Sequence, residues 1–69
     1  MNDYRFGNRL YQLRQSFGYT QTELATMVGV TNKAVSKWEN GKAKPATDML
    51  RKLAAVFQLP IEQLLELKE

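Results

Sequence analysis

The sequence contains no cysteine and no histidine. Without cysteine the chain can form neither a disulfide nor a thiolate metal site, and nothing in it points to an oxidising compartment. Without histidine it lacks the commonest general base and the commonest metal ligand. Neither serine, Ser16 or Ser36, stands in a nucleophile motif. We therefore expect a protein that is not an enzyme and that uses no cofactor or metal.

Long apolar runs are missing as well. No stretch approaches the roughly 18 residues that can span a bilayer, and no basic start followed by an apolar run marks a secretory signal. We expect a protein of the cytoplasm or nucleoid with no membrane partner. The 69 residues suffice for one domain, residues 1–69. Such a domain buries only about 60% of its unfolded surface, so its stability margin is thin. Because the chain has no cysteine for a disulfide or a thiolate metal site, helix packing alone must hold it together.

Basic residues are in excess, and they are unevenly placed. The net charge is +3. Residues 1–44 carry seven lysines and arginines against three acidic side chains, whereas residues 45–69 carry three against four. A basic part beside a neutral-to-acidic part is typical of a face that meets a polyanion, although ordinary surface charge fits this composition equally well.

Five short helical patterns account for the chain, and no window has the period of two that strands need. The helices are predicted over residues 4–17, 21–28, 32–40 and 47–57, and from Pro60 onwards. Glycines follow the first three patterns, as is typical of left-handed helix ends. Thr20 and Thr31 are predicted N-caps, and Glu23 has capping-box spacing from Thr20. The predicted fold is all-α, a compact bundle of five helices.

The apolar positions of these patterns predict the core. Its members are Phe6, Leu10, Leu13, Phe17, Ala25, Val35, Trp38, Leu50, Leu53, Ala54, Phe57, Ile61, Leu64 and Leu65, with Met27 and Met49 filling gaps. Tyr11 is expected to be partly buried, and Tyr4 and Tyr19 to lie at the surface. Leu59, Leu65 and Leu67 exceed what a small core needs, so they are either core or a dimer surface.

Residues 21–38 carry the most specific signal. Two short helices are joined by Gly29-Val30-Thr31, which is helix-turn-helix spacing. On a helical wheel of the third helix, which is the second of this pair, Ala34, Val35 and Trp38 lie on one side. The opposite side holds amides, a hydroxyl and ammonium groups without a carboxylate: Asn32, Lys33, Ser36, Lys37 and Asn40. Amides can pair with adenine and lysine with guanine, so this face favours DNA over an ordinary solvated surface.

A known family has the same pattern. The pattern consists of Thr20-Gln21-Thr22-Glu23-Leu24-Ala25, Val28-Gly29-Val30, Val35-Ser36-Lys37-Trp38-Glu39-Asn40-Gly41, Pro45 and Leu53-Ala54. It resembles the Cro/phage-repressor (XRE) helix-turn-helix family over nearly the whole chain, from Phe6 to about Leu67. The resemblance implies a bundle like that of lambda repressor, with the helix-turn-helix at about residues 20–40 and the third helix in the major groove.

The resemblance also implies roles for individual residues. Asn32, Lys33 and Lys37 match the base-reading positions, and Gln21 matches a clamp on phosphates and base edges. Phosphate-contacting positions correspond to Thr20, Thr31 and Asn40, while Lys42 and Lys44 lie in a loop that follows the DNA backbone. Arg14 and Glu39 match a buried ion pair between the first and third helices.

Two positions depart from the family pattern, and more than one function fits it. Ala46 stands where a serine cap of the fourth helix is common, so Thr47 or Asp48 is an alternative cap; Pro60 stands where the last helix often has a serine or threonine. The leading expectation is a transcriptional regulator that binds double-stranded DNA, pairing as a weak homodimer on a two-fold operator. The alternative is an antitoxin-like module whose main partner is a toxin or effector protein.

Overall fold

Five helices, α1 to α5, follow one another in the part of the chain that the structure describes. The computed structural model describes residues 4–65. Within this range the helices are α1 (Tyr4–Phe17), α2 (Gln21–Val28), α3 (Asn32–Glu39), α4 (Thr47–Val56) and α5 (Ile61–Leu64), with no strand between them. The predicted all-α bundle is confirmed.

The predicted threonine N-caps and the predicted glycines at helix ends are both present in the structure. The Thr20 hydroxyl accepts from the amide of Glu23 at 3.0 Å, and the Glu23 carboxylate accepts from the amide of Thr20 at 2.8 Å, which completes the capping box. The Thr31 hydroxyl accepts from the amide of Ala34 at 3.3 Å. Gly18 and Gly29 have φ of 75° and 78°, the left-handed values that a glycine adopts without strain.

Other boundaries differ slightly from the prediction. Helix α3 ends at Glu39 with Asn40 as its C-cap, and α4 ends at Val56 with Phe57 as its C-cap, so each is one residue shorter than expected. Pro60 is the N-cap of α5, and the helix itself begins at Ile61. Pro60 has an extended ψ of 152°, so it introduces the helix without belonging to its first turn.

Helix α4 begins at Thr47 as predicted, but the alternative caps were wrong. Neither Thr47 nor Asp48 caps it, because both already lie within the helix. The N-cap is Ala46, whose methyl group can accept no hydrogen bond, so no side chain caps this end.

The core lies where the faces of all five helices meet. Helix α2 packs against α3 and α4, α1 against α3, and α4 against α5. Among the described side chains, eleven apolar ones are buried there: Phe6, Leu10, Leu24, Ala25, Val28, Val35, Trp38, Leu53, Ala54, Phe57 and Leu64. Trp38 and Ala25 are therefore core residues, as predicted.

Several apolar residues were misplaced by the sequence pattern. Met27 is 48% exposed, because α2 buries the stripe of Leu24, Ala25 and Val28 and Met27 lies outside it. Leu65, expected to be either core or a dimer surface, is 41% exposed and therefore not core, because α5 is a single turn that ends at Leu64. Tyr19, expected at the surface, is half-buried and packs against the core.

Phe17 and Tyr11 are more exposed than expected, whereas Leu59 is partly buried. Phe17 is 39% exposed, although its ring meets that of Phe57 edge-on at 5.2 Å. Tyr11, expected to be partly buried, is 48% exposed. Leu59 packs against the core and is half-buried, whereas Leu67 lies outside the described residues.

Candidate nucleic-acid interface

The turn between α2 and α3 sets the angle at which α3 leaves the core. Gly29 takes the left-handed conformation, and its amide donates to the carbonyls of Ala25 and Thr26. The amide of Val30 also donates to the carbonyl of Ala25, at 2.9 Å, and its side chain packs against the core. These bonds and the partly buried Val30 side chain hold the turn between α2 and α3 in place.

Helix α3 has one buried face and one polar face. Val35 is fully buried and Trp38 is 7% exposed, so these two residues anchor α3 to the core. Asn32, Lys33 and Lys37 are exposed, and Ser36 is half-buried. The polar face predicted from the wheel is thus turned to solvent, where its side chains can reach another molecule.

Ser36 and Asn40 contact each other on this face. The side-chain amide of Asn40 donates to the Ser36 hydroxyl oxygen at 3.3 Å. This bond leaves the Asn40 carbonyl oxygen, the second N–H of Asn40 and the Ser36 hydroxyl proton for other partners. The two residues therefore offer both acceptor and donor groups at the C-terminal end of α3.

The loop after α3 adds positive charge. The amide of Lys42 donates to the carbonyl of Lys37 at 2.9 Å, which ties the start of the loop to α3. Lys42 and Lys44 are exposed. An ammonium group on a loop beside the helix can approach a polyanion without being placed for base contacts.

The two N-cap threonines lie at the starts of α2 and α3. Thr20 and Thr31 are exposed, and each hydroxyl oxygen accepts a backbone hydrogen bond. The hydroxyl protons are not used in those bonds. Each helix N-terminus therefore presents a hydroxyl donor together with the partial positive charge of the helix dipole.

A buried ion pair connects α1 to the last residue of α3. Arg14 Nε donates to Glu39 Oε2 at 2.7 Å, and Arg14 Nη2 donates to Glu39 Oε1 at 3.0 Å. The two side chains are only 8% and 6% exposed. The hydrogen-bonded carboxylate raises the pKa of Arg14, although burial acts in the opposite direction. Arg14 therefore stays charged, and the structure contains the pair that the family resemblance implies.

The backbone carbonyl of Tyr19 and the side chain of Gln21 complete this network. Arg14 Nη1 donates to the carbonyl oxygen of Tyr19 at 2.9 Å, so the same guanidinium also holds the segment that leads into α2. Gln21 Nε2 donates to Glu39 Oε1 at 3.1 Å, and Gln21 is half-buried. The sequence pattern alone gave no sign of the contact between Gln21 and Glu39.

Sequence reasoning also missed Gly7. This residue is buried in α1 against the end of α3, and an added Cβ would lie 2.8 Å from both the carbonyl carbon of Glu39 and the carbonyl oxygen of Trp38. A lone glycine inside a helical pattern is costly and often has such a packing reason. That cost was the signal available in the sequence.

Residues 4–65 hold no group of three or more acidic residues, histidines or cysteines that could bind a metal. None of the five helices is long and apolar enough to cross a membrane. Within residues 4–65, the polar face of α3 and its neighbours remain the candidate site.

Comparison with known proteins identifies the fold. A helix-turn-helix family profile matches residues 10–64. A putative HTH-type transcriptional regulatory protein of Pyrococcus furiosus is 40% identical over 55 residues, which cover 80% of this chain and 18% of that protein. The uncharacterized HTH-type transcriptional regulator RghRB of Bacillus subtilis is 43% identical over 63 residues, which cover 87% of this chain and 44% of that protein. The chain thus spans less than half the length of these curated relatives.

Solved structures agree with this fold. The P22 c2 repressor in complex with a synthetic operator superposes with a TM-score of 0.84 at 32% identity, covering 91% of this chain and 96% of that one. A hydroxypropylphosphonic acid epoxidase from S. wedmorenis has a TM-score of 0.81 at 26% identity, covering 91% of this chain but only 34% of the enzyme. The same fold is therefore found both in a repressor and as one part of a larger enzyme.

Proposed function

Because this chain belongs to the helix-turn-helix family of the Cro/phage-repressor (XRE) type, we propose that it is the DNA-binding domain of a transcriptional regulator. Helix α3 enters the major groove of double-stranded DNA and reads its sequence. The observation that carries this proposal is the exposed face of α3, where Asn32, Lys33 and Lys37 stand on a helix fixed by a buried Trp38. The place of action is the nucleoid.

The side chains of this surface divide into two groups with different tasks. Asn32, Lys33, Ser36 and Lys37 lie on α3 and read base edges, since amides pair with adenine and ammonium groups donate to guanine. Thr20, Gln21, Thr31, Asn40, Lys42 and Lys44 surround that face and contact phosphates. Phosphate contacts fix the register of the protein on the duplex but carry no sequence information directly.

The regulator pairs on a two-fold operator. Half-sites one helical turn apart place two domains about 34 Å from centre to centre. The Cα atoms of this chain extend over 28 × 25 × 23 Å. Two such bodies at that separation meet only along one edge, so the contact between domains is small. The exposed Gln58 and Pro60, in the loop between α4 and α5, are our proposed contact.

A comparison of Asn32→Ala with Lys42→Ala tests the assignment of reading and positioning. Sequences that bind are first selected from a random duplex pool, which yields the operator. Asn32→Ala should then lose about 1–3 kcal/mol on that operator and relax the preference at one or two base pairs. Lys42→Ala should weaken binding to all duplexes about equally and lower the slope of log K against log salt by roughly one unit.

The neutral amide makes Asn32→Ala the cleaner variant, because its loss leaves the net charge unchanged. If this variant binds operator and scrambled DNA in the same ratio as wild type, Asn32 reads no base. If wild-type protein prefers no duplex at all, the regulator proposal falls and a protein partner, such as a toxin, becomes the better hypothesis.

A further inference from the structure

The carboxylate of Glu39 stands between three parts of the helix-turn-helix surface. Glu39 is the last residue of α3. Its carboxylate accepts hydrogen bonds from Arg14 of α1 and from Gln21 at the start of α2. Its Oε1 atom accepts two hydrogen bonds, from Arg14 Nη2 at 3.0 Å and from Gln21 Nε2 at 3.1 Å. The ion pair therefore holds the Gln21 amide as well as joining two helices.

The chemistry of the carboxylate fixes which way round the Gln21 amide lies. An ionised carboxylate has only acceptor atoms, whereas an amide has a donor end and an acceptor end. The reverse orientation of Gln21 would bring two oxygens into contact. One N–H of the Gln21 amide therefore donates to Glu39. The second N–H and the carbonyl oxygen of Gln21 stay available to other partners.

The position of Gln21 places this amide next to the proposed phosphate contacts. Gln21 donates to Glu39, and Asn40 and Lys42 lie one and three residues after Glu39 in the chain. An unpaired carboxylate at this edge would repel a phosphate, but Arg14 neutralises Glu39 through two hydrogen bonds. A phosphate can therefore approach the Gln21 amide.

We propose that Glu39 is a positioning residue for DNA binding: held by Arg14, its carboxylate orients the Gln21 amide so that the second N–H donates to a phosphate oxygen of the bound duplex. This inference rests on the proposed function and adds a task for the buried pair beyond stability. Gln21 contacts the DNA, whereas Glu39 and Arg14 act only through it.

A double-mutant cycle in DNA affinity tests the proposal. Gln21→Ala, Glu39→Gln and the double variant are compared on the selected operator, at a temperature where circular dichroism shows all of them folded. Glu39→Gln replaces the carboxylate by an amide that can face Gln21 in either orientation. Gln21→Ala should weaken binding about tenfold in the wild-type background, the effect of one good hydrogen bond to a charged group. It should have at most about a twofold effect in the Glu39→Gln background.

Lys42→Ala is the matched control for this cycle. Lys42 is a proposed phosphate contact whose side chain is not part of the Glu39 network, so its removal should weaken binding by the same factor in both backgrounds. An equal effect of Gln21→Ala in the two backgrounds would overturn the proposal. A Lys42→Ala effect that also shrinks in Glu39→Gln would overturn it too, because Glu39 would then act on the whole surface.

A measurement on the wild-type protein avoids any dependence on the folding of variants. Without DNA, the side-chain amide of Gln21 should be as rigid in nuclear magnetic resonance relaxation as the backbone of α2. The exposed amides of Gln12 and Gln15 on α1 serve as mobile references. Mobility of Gln21 equal to theirs would refute the positioning role.

The outcomes for the two proposals are distinguishable. If Gln21→Ala binds the operator as tightly as wild type, Gln21 makes no DNA contact and this inference fails, while the operator preference of the wild-type protein still supports the proposed function. If the wild-type protein has no such preference, the proposed function itself fails.

Discussion

Arg14 and Glu39 are two nearly buried charges in a small protein. Arg14 donates hydrogen bonds to Glu39 and to the carbonyl oxygen of Tyr19. Glu39 accepts hydrogen bonds from Arg14 and from Gln21. No other side chain of the network could replace either set of bonds. Removing one member of such a pair strands the other in a poorly solvated site. The stability of the protein therefore depends strongly on these two residues.

Glu39→Ala should lower the free energy of unfolding by about 3–5 kcal/mol, because Arg14 would stay buried without its counter-ion. That loss is a large share of the roughly 5–15 kcal/mol that stabilises an ordinary domain. Urea or thermal denaturation measures it. The control is Glu62→Ala, an exposed glutamate on α5, which should stay within about 0.5 kcal/mol of wild type. A melting temperature of Glu39→Ala within a degree or two of wild type would contradict the role of the pair.

Gly7→Ala should also destabilise the protein, by about 1–3 kcal/mol. In an exposed helix the same change stabilises by about 1 kcal/mol, but here the new methyl group would press on the backbone of Trp38 and Glu39. Backbone atoms at a helix end cannot move aside as a flexible side chain can. Thermal melts should show the loss, whereas Asn8→Ala, at the exposed neighbouring position, should not. A Gly7→Ala protein more stable than wild type would show that α1 and α3 have room between them.

Helix α4 has no side-chain cap at its N-terminus. Its cap is Ala46, with extended backbone angles and no side-chain hydrogen bond. Ala46→Ser should therefore stabilise the protein by about 1 kcal/mol, because the hydroxyl can accept a free amide of the first turn. For a domain of this size the melting temperature should rise by about 4–8 °C. Ala43→Ser, at an exposed loop position that begins no helix, should leave it unchanged. No rise in Ala46→Ser would mean that the α4 amides are already satisfied.

Pairing on DNA is a property of the whole molecule, since it depends on the distance between domains. We expect sedimentation of this chain to show a monomer at micromolar concentration and footprints to cover two half-sites about 34 Å apart. Gln58→Glu should place like charges at the proposed contact and weaken binding to the double site about fivefold.

Gln12→Glu makes the same change of charge on α1, away from the proposed contact, and a duplex with one half-site removes the contact altogether. Gln58→Glu should match Gln12→Glu on the single half-site and fall below it only on the double site. A tight dimer without DNA, or equal losses on both duplexes, would refute the weak pairing through this loop.

Most helix boundaries and the two-sided character of α3 could be predicted from the sequence, because they depend on residues only a few positions apart in the chain. Thr20 and Glu23 are three residues apart, Gly29 acts on the turn that contains it, and the phase of Val35 and Trp38 follows from helical geometry. The sequence likewise indicated that α3 presents amides and ammonium groups to solvent.

The remaining features required knowledge of which helices pack together. The Gln21–Glu39 bond joins residues 18 positions apart, and the bond from Arg9 to the Gln63 carbonyl joins residues 54 apart. The burial of Gly7 and the exposure of Met27 depend on the same packing. A helical period gives the direction of a side chain relative to its own helix only. Its contacts are determined by the distance and angle of the neighbouring helix, which arise when all five helices pack around one core.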